Sequence, residues 1–482
     1  MSEVKLNPIK ADSELELTVE SLAYGGKGVA HVDGYTVFVR NGLPGETVMA
    51  RITKRRRGFA EAVPVSLVTE SPSAVPKKCN HFPTCGGCSF QNLDYEEQIR
   101  QKRQQVVDLY DRIAGVSDLE PERIVTAEKQ FHYRNKMEFS FSSRRWILPE
   151  EPDGVDASFA LGLHVPGRYD KVLDIEKCWL QNPIGNDILR LVKETSRAAK
   201  LEPYDVVKHT GFLRNLIIRI GERTGEVMVN IVTSREAPDR LQPIVGRLLK
   251  QFSGITSIVN NITRRKAGVS YGEWELLMHG TPYIHEKLGT HTFEISADSF
   301  FQTNTSQAEK LYAIAREYAE FRGDEILFDL YCGTGSTSIF MAEGVKKVYG
   351  FELFSSAVED AVRNAVNNNV SNCRFYEANL DKFFRVTPIL NEIEKPHVVL
   401  LDPPRAGMNP KLVRDVVGMK PDKIVYISCN PSTQARDVAL MIKEGYKLEK
   451  LSMVDMFPHT PHIETVALLK GGYKHDKNHV SV

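Results

Sequence analysis

The sequence predicts an α/β protein: a doubly wound parallel sheet at the carboxyl-terminal side, preceded by a small β-barrel and a mixed α+β region. Three observations carry this. From about residue 305 onward, short apolar runs alternate with helix-period segments, as βαβ units require. From about 12 to 66, short alternating strands are punctuated by glycine and proline turns. Between these regions, strand and helix patterns mix without a regular order. The expected domains are therefore 1–70, 71–300 and 301–482.

In the first domain Leu15-Glu16-Leu17-Thr18-Val19 alternates, Gly25-Gly26-Lys27-Gly28 turns, and Tyr35-Thr36-Val37-Phe38-Val39 alternates again. The turn Asn41-Gly42-Leu43-Pro44-Gly45-Glu46 leads into Thr47-Val48-Met49-Ala50-Arg51-Ile52. Strands at this spacing suit a small barrel of the kind that carries oligonucleotides on one face. A cysteine-bearing loop follows Ser71-Pro72-Ser73, and a polar, basic helix is expected from Tyr95 to Ile113. In the middle domain Lys136–Phe141 and Glu226–Val232 read as strands. Ile184–Ala199 reads as a helix with Ile184, Ile188, Leu191 and Val192 on one face; no topology follows for this region. The last domain has strands at Ile326–Leu330, Lys347–Glu352, Cys373–Glu377, Val398–Asp402 and Lys423–Cys429, with helices such as Ser356–Asn368 and Ser432–Glu444 between and after them. Two further strands, Lys447–Val454 and Glu464–Leu469, close the sheet.

The composition is that of a globular chain, 42% hydrophobic and 26% charged over 482 residues. No apolar run reaches the about 18 residues a membrane span needs, and Met1-Ser2-Glu3-Val4-Lys5 does not open a signal peptide. A cytoplasmic location is expected, and seven cysteines there argue against a disulfide framework. Lys plus Arg equals Asp plus Glu at 62 each, so no global field attracts nucleic acid. Local patches do exist at Lys54-Arg55-Arg56-Arg57, Arg100-Gln101-Lys102-Arg103, Arg144-Arg145-Trp146 and Arg264-Arg265-Lys266. Several such patches with aromatic neighbours make RNA contact a fair hypothesis.

Ligands of open α/β sheets bind outside the carboxyl ends of the strands, and polar groups gather there. Asp329-Leu330-Tyr331-Cys332-Gly333-Thr334-Gly335-Ser336 joins the first strand to its helix, with glycines that admit a ligand close to the backbone. It is neither a complete dinucleotide fingerprint nor a P-loop. Glu352 ends the second strand, where a carboxylate can bind ribose hydroxyls; Asn379 follows the third, and Asp402-Pro403-Pro404-Arg405 ends the fourth. Each alone reads as a loop residue; together they form a cofactor edge similar to that of S-adenosylmethionine-dependent methyltransferases. Cys332 and Cys373 read as packed small side chains. Cys429 ends a buried strand at the same edge, where a thiol is placed either for packing or for attack.

The combination of Asp402-Pro403-Pro404-Arg405-Ala406-Gly407 with Ser428-Cys429-Asn430-Pro431 resembles the RNA 5-methyluridine methyltransferases. His462-Ile463-Glu464-Thr465-Val466 matches that family's C-terminal signature, Phe301-Gln302-Thr303-Asn304 its Gln-x-Asn element, and the N-terminal barrel resembles a TRAM domain. The resemblance implies a Rossmann-like methyltransferase domain and methylation of uracil C5 through a covalent adduct of Cys429 with C6. It implies Glu464 as the base, and Gln302, Tyr331, Ser336, Glu352, Asn379 and Asp402 around S-adenosylmethionine. Ser336 stands where some relatives carry a longer amide. The chemistry suits the residues: thiolate addition at C6 makes C5 nucleophilic, and a stacked base must first be flipped out. The implied partner is RNA, 23S ribosomal RNA first and the tRNA T-loop uridine as alternative. No DNA or membrane partner is expected, and the chain is expected to act as a monomer. A rival of another class, a non-catalytic RNA-binding or assembly protein, would need neither Cys429 nor Glu464.

Cys79, Cys85 and Cys88 form C-x5-C-G-G-C, with Cys178 far downstream. Clustered thiols outside an oxidising compartment signal a metal site. Zinc accepts four thiolates, with His81 as a substitute, and iron–sulfur clusters accept them equally; spacing does not choose. The family resemblance implies a 4Fe-4S cluster on Cys79, Cys85, Cys88 and Cys178, in a structural or RNA-positioning role.

Overall fold

The computed structural model describes residues 9–266, 272–382, 390 and 392–472. They fall into two compact units: the chain through Asp108 together with Phe457–His462, and Leu109–Met456 with the chain from Ile463 on.

In the first unit, β1 (Glu14–Thr18), β2 (Ser21–Leu22), β3 (Gly28–Val32), β4 (Tyr35–Val39), β5 (Thr47–Arg55) and β6 (Phe59–Thr69) form one sheet in the order β1-β5-β6-β4-β3-β2. Alternation puts Leu17, Val37, Val39, Val48, Ala50, Ile52, Ala60 and Ala62 into a single core while their neighbours face water. The cysteine loop and most of α1 (Tyr95–Leu109) complete this unit. Phe457–His462 joins it through His459, whose N–H donates to Gln98 Oε1 at 2.9 Å and whose carbonyl accepts from Ser89 N at 2.8 Å.

The second unit contains β7 (Arg123–Val125), β8 (Lys136–Ser142), β9 (Ala160–His164), β10 (Val172–Asp174), α2 (Pro183–Ala198), β11 (Leu213–Ile220), β12 (Val227–Thr233), α3 (Gln242–Gln251), β13 (Ile255–Ile262) and β14 (Trp274–Gly280). Here the sheet is seven-stranded, β10-β9-β8-β11-β12-β13-β14, antiparallel except where β12 and β13 run parallel. A hairpin of β15 (Tyr283–Leu288) and β16 (His291–Ser296) leads into α4 (Thr305–Ala319).

The remaining elements are β17 (Ile326–Leu330), α5 (Ser336–Met341), β18 (Lys347–Glu352), α6 (Ser355–Asn367), β19 (Cys373–Glu377), β20 (Val398–Leu401), α7 (Pro410–Gly418), β21 (Lys423–Ser428), α8 (Pro431–Lys443), β22 (Tyr446–Val454) and β23 (Glu464–Gly471). Their sheet runs β19-β18-β17-β20-β21-β23-β22-β7, parallel from β19 to β21. The order reverses between β17 and β20, the switch point at which such sheets open a crevice. Strand β23 inserts antiparallel beside β21, so it starts at the edge where β21 ends. The fifth strand stops at Ser428, one residue short of the sequence expectation, because Asn430 turns to cap α8 and accepts from Ser432 N at 3.2 Å. Ile424, Val425 and Ile427 are fully buried, each contributing about 1.5–3 kcal/mol. Among the described residues no helix is long and apolar enough to cross a membrane.

Candidate active site

The turn after β17 holds one edge of the crevice. Tyr331 sits at φ +70°, a left-handed conformation that costs a tyrosine strain. At Gly335 (φ +80°) a Cβ would come within 2.9 Å of Ala361 Cβ, so only glycine lets the turn pack this close to α6. Gly333 N donates to Glu352 Oε2 at 3.1 Å, and Glu352 Oε1 accepts from Leu353 N at 2.7 Å and Phe354 N at 3.2 Å. Beneath the turn, buried Asp329 accepts from the Thr337 and Ser338 hydroxyls at 2.7 and 2.6 Å. Burial pushes its carboxyl up to about 6 against those hydrogen bonds. Gln302 is buried and hydrogen-bonds with the Tyr312 hydroxyl, which also lies 3.4 Å from Ser336 Oγ. Asn379 is exposed just past β19, and its carbonyl accepts from Lys382 N at 2.9 Å.

The other edge joins four groups from three strand ends. Antiparallel pairing sets Ser428 opposite Thr465. Cys429 follows Ser428 directly and Glu464 precedes Thr465, so the two side chains leave the end of the same ladder, close enough for the Glu464 carboxyl to act on the thiol. Burial, then the nearby Glu464 and Asp402 carboxyls, push the Cys429 thiol up to about 12, while Arg405 opposes the shift. Glu464 is buried and raised to about 8, by burial first and Asp402 second, with Arg405 again lowering it. Asp402 is raised to about 7 by burial and by Asp329.

The loop that carries Arg405 is pinned rather than loose. Arg405 O accepts from Asn430 Nδ2 at 2.8 Å and Thr433 Oγ1 at 3.2 Å. Asp437, fully buried, accepts from Met408 N and the Tyr426 hydroxyl at 2.8 Å each, and Arg436 Nη2 donates to the carbonyls of Ala406 and Met408.

The geometry is thus a thiol and a carboxyl at the end of one ladder beside a cofactor edge. A family model described as tRNA (Uracil-5-)-methyltransferase matches residues 225–471, and one for the TRAM domain matches 12–65. An RNA methyltransferase of Chlorobaculum tepidum is 39% identical over 92% of this chain and 93% of its own length. Another from Porphyromonas gingivalis is 38% identical over 92% and 96%. Among solved structures, the Pyrococcus abyssi tRNA (uracil-54, C5)-methyltransferase in complex with S-adenosyl-L-homocysteine superposes with a TM-score of 0.73 at 31% identity, over 94% of this chain and 100% of that one. The chain belongs to the RNA uracil-5-methyltransferase family. It is therefore an RNA methyltransferase with a TRAM domain at its amino-terminal side.

Within that family frame, the structure assembles Cys429, Glu464 and Asp402 at one edge, and Gln302, Ser336, Tyr331 and Glu352 along the other. Sequence reasoning missed Tyr312, which touches both Gln302 and Ser336 from α4, and the Asn430–Thr433–Asp437 anchor. Tyr312 carries no motif; only its helical spacing toward the sheet would have flagged it.

The cysteines behave differently. Cys79, Cys85 and Cys88 lie in the first unit, Cys178 in the second. Among the described residues, no group of three or more His, Cys, Asp or Glu side chains is gathered to hold a metal ion. The loop does aim donors at sulfur: Gly87 N lies 3.3 Å from Cys85 Sγ, and Gln91 Nε2 lies 3.3 Å from Cys88 Sγ.

Proposed function

We propose that this chain transfers a methyl group from S-adenosylmethionine to C5 of a uridine in 23S ribosomal RNA, through an adduct between Cys429 and C6. The observation that supports this reading is the end of the β21–β23 ladder, where Cys429 follows Ser428, Glu464 precedes Thr465, and the thiol, the buried carboxyl and Asp402 act on one another electrostatically.

Cys429 Sγ attacks C6 as thiolate, and the resulting enolate makes C5 nucleophilic toward the sulfonium methyl. Glu464 then takes the C5 proton, C5=C6 re-forms and the thiolate leaves. Asp402 orients the uracil edge. When bound, S-adenosylmethionine would supply the methyl group, and Gln302, Tyr331, Ser336, Glu352 and Asn379 would hold it. At rest the thiol and the Glu464 carboxyl keep their protons near neutral pH, since both are raised by burial. Arg405 is the protein cation that favours both charged forms, so it is assigned to thiolate formation.

Ribosomal RNA is favoured by the cysteine loop and barrel taken together; the tRNA uridine is the second reading, favoured by the activity of the Pyrococcus abyssi enzyme. Incubation with methyl-labelled cofactor and unmodified 23S ribosomal RNA or tRNA, followed by mapping, separates them. Label at a ribosomal uridine C5 is the expected result. Label confined to tRNA selects the second reading, and no label at any uridine C5 with cofactor bound overturns both.

A 4Fe-4S cluster on Cys79, Cys85, Cys88 and Cys178 belongs to the same proposal. Its support is the resemblance of this cysteine set to that of the cluster-bearing relatives, together with the N–H donors at two sulfurs, which favour thiolate ligands. No step of the reaction runs through a cluster. Four iron and four sulfide per chain are expected after anaerobic purification; a colourless, zinc-loaded protein would overturn the assignment.

A further inference from the structure

The ladder end that carries Cys429 and Glu464 is held at its last pair, Ser428 and Thr465. Strand ends fray unless tied, and here the tie is a buried amide. Gln434, on α8 and 0% exposed, donates from Nε2 to Tyr426 O at 2.8 Å and so grips β21. Its Oε1 accepts from the Thr465 hydroxyl at 2.7 Å and so grips β23. The same oxygen accepts from the Tyr110 hydroxyl at 2.7 Å. Thr465 Oγ1 also lies 3.2 Å from Ser428 O, within the last pair itself. Thr465, Tyr110 and Tyr426 are each fully buried.

A buried amide left without a hydrogen-bond partner costs about 1–3 kcal/mol. Of its buried neighbours on α8, Ala435, Val438 and Met441 are apolar and Asp437 is polar. The amide has one distinguishing property, which is that it ties both strands near their ends, β23 at Thr465 of the last pair and β21 at Tyr426, two residues earlier.

We propose that Gln434, acting with Thr465, is a positioning residue that fixes the separation of Cys429 and Glu464. The proposal rests on the functional reading above. Adduct formation and methyl transfer engage Cys429 and the cofactor. Release needs more: the C5–H electron pair becomes the C5=C6 bond, the C6–S pair leaves with Cys429 as thiolate, and the proton passes to Glu464. That step alone requires the carboxylate to be placed against a base that Cys429 already holds, so a loosened register strikes release hardest.

The test uses full-length Q434L, T465V and T465S with methyl-labelled cofactor and substrate RNA, quenched over time and resolved on denaturing gels. T465V removes the hydroxyl while keeping shape; T465S restores it. Q434L and T465V are expected to accumulate methylated RNA–protein adduct and to slow its release roughly ten- to a hundredfold. T465S should match the wild type, and the Q434L/T465V double variant should be no worse than either single one. If Q434L does not fold, the T465V and T465S pair carries the comparison. Wild-type release rates in T465V, or an equal loss of adduct formation, transfer and release, would overturn the proposal alone. A wild-type enzyme that forms neither adduct nor product would overturn the functional reading and this proposal with it.

Discussion

In the proposed reaction Cys429 and Glu464 must both ionise, yet burial favours the neutral form of each. Burial and the shared negative charge of Asp402 raise them together, and Arg405 works against this. Two outcomes follow. Activity should rise with pH through the range of Asp402 and Glu464, about 7 to about 8, and R405Q should move that rise upward, measured as kcat/KM against pH. Stability should run the other way. A carboxyl raised in the folded state contributes stability that is present below its unfolded pKa and is lost as pH rises through the folded value. Glu464 therefore costs stability progressively as pH rises from its ordinary value of 4.5, and the cost is complete by about 8. E464Q, with no proton to lose, should gain roughly 1–3 °C in Tm at pH 9 relative to the wild type and nothing at pH 5, while trapping the adduct. A Tm difference that does not change with pH would contradict the assigned burial of Glu464. C429A should abolish label transfer with cofactor binding intact, as read by calorimetry.

At the scale of elements, the site is the product of one antiparallel insertion. A wholly parallel sheet would begin β23 at the far end from Cys429. Instead β23 starts with Glu464 beside the end of β21. The loop from Asp402 to Met408 reaches the pair because Gly407 takes φ +70° where a Cβ would meet Arg436 Nη2 and Asp437 Oδ2, each at 2.7 Å. G407A should cost about 1–3 kcal/mol, lower Tm, and reduce methyl transfer by displacing the Arg405 carbonyl from Asn430 and Thr433. The strands of this sheet were legible because buried parallel strands read as continuous apolar runs such as Ile424–Ile427, and the cofactor edge because its polar residues recur at strand ends. The seven-stranded sheet was not legible: its order depends on pairings such as β8 with β11, distant in sequence, which no local period encodes. Strand β7, three residues long, has no period to detect, and it is fixed by pairing with β22. Gln434 was invisible because its role depends on Tyr110 and Thr465, brought to it only by the fold.

For the whole molecule, zero formal net charge means that RNA affinity must come from local surfaces. Lys54, Arg55, Arg56 and Arg57 are exposed around the β5–β6 turn of the TRAM domain. Reversing Arg55 and Arg56 to glutamate should weaken RNA binding several-fold and reduce the slope of log affinity against log salt by about 1 for each phosphate no longer neutralised, with the methyl-transfer step on saturating RNA unchanged. Unaltered affinity would remove this surface from substrate binding. The central claim is the covalent route through Cys429, and RNA bearing 5-fluorouridine tests it most directly, because fluorine at C5 cannot be removed as a proton. With S-adenosylmethionine present, mass spectrometry should find one methylated nucleotide attached to the peptide that contains Cys429. Methylated RNA free of protein, or an adduct on any other residue, would contradict the account.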